Sequence, residues 1–134
     1  MKALALDLGR ARTGVAVSDP TGTLVRPLPV IHDIDRADGS AALDTVLADE
    51  APEVIVIGDP RLMSGERGEQ AHHASSFAGR LRTRVDARVV LMDERMSTTE
   101  AQRRKQEAGS TADLDSLAAC VILEAWLRGQ KAAA

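Results

Sequence analysis

The chain has 134 residues, 44% of them apolar and 28% charged, and a formal net charge of −3. That size fits one domain able to bury about two-thirds of its unfolded surface, and the composition excludes a disordered chain. No apolar run reaches the about 20 residues that a bilayer requires, and no global basic field draws in nucleic acid.

The start, MKALALDLGR, carries Asp7 and Arg10 too early for a signal peptide. A cytoplasmic protein with no membrane partner is therefore expected, and the single cysteine, Cys120, fits a reducing compartment. Of 17 basic residues, 14 are arginine, the side chain whose planar fork suits phosphate. Phe77 and Trp126 are the only aromatic residues, so base stacking is nearly ruled out. Any nucleic-acid contact should grip backbone and shape.

In chain order, KALALDL (residues 2–8) alternates leucines with Ala3, Ala5 and Asp7 and predicts a strand. Gly9 to Thr13 is a polar turn, and GVAVSD (14–19) is a second strand. LVRPLPVI (24–31) is a third, confined to a sheet edge by Pro27 and Pro29. These three form an antiparallel meander. Leu43, Val46 and Leu47 then fall at helical spacing behind Ser40, a candidate cap. EVIVIGD (53–59) and RVVLMDE (88–94) are continuous apolar runs, as buried parallel strands require. Between them Ala71, Ala74, Ala78, Leu81 and Val85 mark one helical stripe. Ser97 and Glu100 form a capping box for a short charged helix, and a last helix is expected from Asp113 to about Arg128. Residues 1–134 read as one α/β domain with a mixed five-stranded sheet, helices on both faces and a disordered tail from about 130.

Asp7, Asp59, Asp93 and Glu94 all stand at or near strand ends, and parallel strands bring such residues to one rim. Asp115, early in the last helix, adds another acid. A carboxylate at a strand end is usually a turn former or cap, and Asp19 and Asp113 are read that way. Asp7 differs because it falls on the strand's own alternation. Clustered carboxylates repel unless a cation sits among them, and oxygen ligands suit Mg²⁺ or Mn²⁺.

DLGRARTGVAVSD, IGDPRLMSGERGEQA, DERMSTTEAQ and DSLAACVILEAWL, in that order, resemble the YqgF family. That bacterial family is described as proposed pre-16S rRNA nucleases and, alternatively, as Holliday-junction resolvases. The likeness spans nearly the whole chain. It implies a ribonuclease H-like fold, divalent-metal phosphodiester hydrolysis, and catalytic, metal-binding acids at Asp7, Glu94 and Asp115. Family members are linked to maturation of the 16S rRNA 5′ end. Two departures stand out: family members usually carry leucine where Asp59 stands, and GSTADLD lacks the lysine that often precedes the final aspartate. Asp59 is taken as a solvated loop acid in preference to a fourth ligand.

Beside these acids, Gly9, Arg10, Arg12, Arg95, Arg103 and Arg104 are the candidate nucleic-acid contacts. Arg80, Arg82 and Arg84 diverge around a helix and are read as solvated. His72 and His73 point about 100° apart on a helix and do not form a metal pair. Trp126 and Cys120 are read as core. RNA is the expected partner of a monomer or homodimer. The alternatives are a nuclease for branched DNA junctions, a non-catalytic RNA-binding ribosome-assembly factor and, through DxG at the first hairpin, an ATP-binding lobe for which the chain is too short.

Overall fold

The computed structural model describes residues 1–60, 68–94 and 114–133. Five strands, β1 (Ala3–Leu8), β2 (Arg12–Ser18), β3 (Val25–His32), β4 (Val54–Asp59) and β5 (Arg88–Asp93), form one sheet in the order β3-β2-β1-β4-β5. The meander is antiparallel, while β1–β4 and β4–β5 are parallel. Helices α1 (Ala37–Glu50) and α2 (Glu69–Arg82) cover one face, and α3 (Leu114–Ala133) covers the other. Among the described residues no helix is long and apolar enough to cross a membrane.

Strand alternation separates the two cores. Leu4, Leu6 and Leu8 of β1 join Val15, Ile55, Ile57, Leu43 and Phe77 beneath α1 and α2. Ala3 and Ala5 of the same strand join Ala16, Val54 and Val56 beneath Ile122, Leu123 and Trp126 of α3. The α3 face of the central strands is thus built from small residues, so the helix can lie close to the sheet.

The expected strands stand within about one residue of their predicted limits at most ends, and β3, with its prolines, is the edge strand. Three helical expectations differ. Helix α1 begins at Ala37, three residues before Ser40, and no side chain caps it. Asp33 takes a left-handed φ of 49°, Arg36 N donates to Asp33 O, and Ser40 N donates to Arg36 O, so backbone alone turns the chain into the helix. Helix α2 stops at Arg82, and Val85 packs on the core from beyond it. Helix α3 continues to Ala133, so residues 130–133 extend it where a disordered tail was expected.

Candidate metal and nucleic-acid site

Asp7 shares a sheet face with Ala3 and Ala5, and therefore points toward the side that α3 covers. By the same alternation Gly58 follows Val54 and Val56 onto that face, and Glu94, one residue beyond β5, follows Val90 and Met92. Leu6 is paired with Ile57, so the next step of the ladder puts Asp7 beside Gly58; Gly58 in turn pairs with Met92. Strand β4 therefore lies between the two acids. A carboxylate at the end of β5 must cross two strand spacings, about 10 Å in all, to meet one on β1.

Glu94 makes that crossing over Gly58. A Cβ on residue 58 would lie 2.8 Å from both Cδ and Oε1 of Glu94 and 2.9 Å from its Cγ. The Glu94 carboxyl hydrogen-bonds with Asp7 and is pushed up to about 9, first by burial, then by the Asp7 charge and that hydrogen bond. Asp59 and Asp93 add smaller repulsions. The pair thus holds a proton that water would strip from an isolated glutamate at neutral pH. Two oxygen-donor side chains that share a proton this tightly suit a hard divalent cation, which would neutralise the same repulsion. Among the described residues no three acids, histidines or cysteines form a complete metal-holding group. Asp115 lies in the first turn of α3, and its side chain is outside the described residues.

Ser116, one residue on, seats that turn. It is 1% exposed; its Oγ donates to Leu28 O at 2.7 Å and accepts from Val15 N at 3.3 Å. The β2–β3 register shifts between Thr13 and Val15, and the Ser116 hydroxyl fills that irregularity. The start of α3 is thereby pinned to the meander, on the face that carries Asp7 and Glu94.

Asp59 is not a solvated loop acid. It is the last residue of β4, 3% exposed, and it faces the α2 side with Ile55 and Ile57, opposite to Asp7 and Glu94. Its ladder partner is Asp93, which shares that face. Asp19, by contrast, is a turn former: its carboxylate accepts from Thr21 Oγ1 and from the amides of Thr23 and Leu24, and these bonds pull it down to about 2.

The turn after β1 is tight. Gly9 N donates to Arg12 O, and a Cβ on Gly9 would sit 2.4 Å from that oxygen. Gly9 is thus required by the turn itself, which presents Arg10 and Arg12 on the surface at the same rim as Asp7. Arg95, Arg103, Arg104, Asp113 and the Ser97–Glu100 capping box lie outside the described residues. Arg80, Arg82 and Arg84 do more than meet solvent: Arg80 pairs with Asp35, Arg82 donates to Val89 O, and Arg84 pairs with Asp44. His72 is exposed while His73 bonds to Asp35, so the two diverge as expected. Trp126 and Cys120 are buried in the α3 core.

Two contributors, Gly58 and Ser116, were not singled out from sequence. The signal for Gly58 was a glycine in a strand otherwise made of Val and Ile, a usual mark of close approach. Ser116 carried no comparable signal, because its partners come from distant strands.

A protein-family model described as "RuvX: Holliday junction resolvase" matches residues 1–129. A protein of Anaeromyxobacter sp. (strain Fw109-5), named as a proposed pre-16S rRNA nuclease, is 39% identical over 137 aligned positions, covering 98% of this chain and 100% of its own. A protein of the same name from Rhodococcus opacus (strain B4) is 41% identical, over 92% of this chain and 75% of its own. Among solved structures, Thermus thermophilus RuvC in complex with a Holliday junction superposes with a TM-score of 0.61 at 15% identity, covering 98% of this chain and 96% of that one. The sheet order and helix placement are accordingly those of the ribonuclease H-like fold. With Asp7, Glu94 and the DSLAA helix start falling at one rim of that sheet, and with the family match running through all three, the chain belongs to the RuvX Holliday junction resolvase family.

Proposed function

We propose that this chain is a divalent-metal nuclease that hydrolyses RNA phosphodiester bonds in maturing the 5′ end of pre-16S rRNA. The observation that supports it most is the meeting of the Asp7 and Glu94 carboxyls across β4. A resting carboxylate pair brought together over a glycine, at the C-terminal rim of the sheet, has no structural use that a neutral pair would not serve better. Asp7, Glu94 and Asp115 would hold Mg²⁺ or Mn²⁺, which supplies Lewis-acid polarisation of the phosphodiester and a nucleophilic water at neutral pH.

The chain's own residues orient the substrate. The Gly9 turn sets Arg10 and Arg12 at the same rim as Asp7, where they would hold phosphates near the scissile bond. Arg95, Arg103 and Arg104 extend that grip along the backbone. RNA is the favoured substrate because the relatives that cover nearly the whole chain are named for it. Such work belongs in the cytoplasm, and a monomer or a homodimer could carry it out. A second reading is favoured by the family description: cleavage of branched DNA junctions, which requires two sites and hence a homodimer.

A side-by-side assay decides between them. Wild type and Asp7→Asn are offered a pre-16S-like RNA, single-stranded DNA and a four-way junction with Mg²⁺ or Mn²⁺. Cleavage of the RNA, lost in Asp7→Asn, is expected. Symmetric cutting of the junction by a dimer would replace RNA processing with resolution. RNA binding with no cleavage of any substrate would point to a non-catalytic assembly factor.

A further inference from the structure

On the opposite face of the same rim, the β1–β2 turn and the loop between β3 and α1 enclose a cavity of about 220 Å³. Its walls are fixed by backbone bonds: Asp33 N donates to Ala11 O, Arg36 N to Asp33 O and Gly9 N to Arg12 O, each at 2.9 Å. Arg10 and Arg36 line it, and among the described residues neither side chain has an ion pair. Two carboxylates line it too. Asp35 is already taken, by His73 Nε2 at 2.8 Å and by Arg80 at 2.9 Å. Among the lining residues, that leaves the charges of Arg10 and Arg36 against the single charge of Asp33.

The third feature is Thr13. It is 1% exposed, it lines the cavity, and among the described residues its Oγ1 has no hydrogen-bond partner. Thr13 pairs with Leu8 and Ile31, both members of the apolar core. A valine would fill that position without leaving a buried hydroxyl unmet, a cost of about 1–3 kcal/mol. A hydroxyl kept there, at the wall of a cavity that Arg10 and Arg36 also line, marks a site for an anion with several acceptor oxygens.

We propose that this cavity is a phosphate subsite that takes a backbone phosphate of the substrate strand one or more nucleotides from the scissile bond. Its placement on a strand rests on the nuclease reading above; the anion site itself does not. Thr13 lies on the α1/α2 face and Asp7 on the α3 face, and the Gly9–Arg10 turn joins them over the rim. A strand cut at Asp7 and Glu94 would therefore cross the rim at Arg10 and deliver its next phosphates to Arg36 and Thr13. Arg10 also borders a second cavity of about 370 Å³, which Glu69, Gln70 and His73 line on the α2 side.

The first arm of the test uses inorganic phosphate. Millimolar phosphate should raise the melting temperature of the wild type, and Arg36→Ala should lose that response. Thr13→Val should melt higher than wild type without phosphate yet respond several-fold more weakly. All three proteins should keep the same stabilisation by Mn²⁺, which reports that the acid site is intact. A wild type indifferent to phosphate, or a response unchanged in either variant, overturns the site.

The second arm measures binding of a short RNA to the cleavage-deficient Asp7→Asn protein, with single neutral methylphosphonates placed along the strand. One position should weaken binding several-fold, and Arg36→Ala should add no further loss there. Additive losses at every position would overturn the subsite's place on the strand. A wild type that answers to phosphate but binds no RNA would sink the nuclease reading and leave the anion site supported.

Discussion

A methyl group at residue 58 would occupy the space in which the Glu94 carboxyl meets Asp7. Gly58→Ala should fold, since alanine costs a strand less entropy than glycine, and Glu94 is a flexible arm that can swing away. Its metal affinity should fall about 10–100-fold, the usual cost of disturbing the support of a ligand; Mn²⁺ titration by calorimetry measures this, and wild-type affinity would refute the account. The pH dependence of the metal-free protein reports the same pair. Glu94 titrates near 9 when folded and at its ordinary 4.5 when unfolded. Between those values the folded state holds a proton that the unfolded state releases, so stability falls as pH rises through that window. Glu94→Gln should flatten this decline and be more stable than wild type at pH 8, as urea titrations across pH would show. Asp7 was readable from sequence because it broke a strand's apolar pattern. The burial of Asp59 was not legible, because an acid at the last position of a strand is usually solvated, whereas here strand parity sends it beneath α2, on the opposite face from Asp7.

At the scale of the element, α3 is held at its first turn by one hydroxyl. Ser116→Ala should cost about 1–3 kcal/mol, because Leu28 O and Val15 N lose a buried partner together. Metal-induced stabilisation should drop with it, since Asp115 is the neighbouring residue. Equal urea midpoints for the two proteins would contradict this. The strands were predictable from sequence because alternation and prolines are local signals. The start of α1 was not: Ser40 resembles a cap, but the turn from Asp33 to Arg36 begins the helix by backbone bonds alone. The Ser116 contact was equally hidden, since it joins residues 88 and 101 positions apart in sequence.

For the whole molecule, the decisive arrangement is a sheet with two unlike faces. Beneath α1 and α2 it is leucine, valine and isoleucine; beneath α3 it is largely alanine and valine, with Asp7 and Gly58 at the rim. Ala5→Leu should therefore cost about 1–3 kcal/mol by overpacking and should also blunt the Mn²⁺ response, because α3 is pushed from the sheet. Leu4→Ala should cost more, about 2–5 kcal/mol, while the folded fraction keeps its response. Thermal melts with and without Mn²⁺ separate the two outcomes. The unlike faces have another consequence, for how the chain finds its pairing. If β1 slipped by a single residue, Asp7 would enter the leucine layer and the leucines would turn toward α3. A bare carboxylate in that layer is far costlier than any mismatch of alanines. The acid that serves chemistry in the finished protein therefore also guards the alignment of its central strand while the protein is being made.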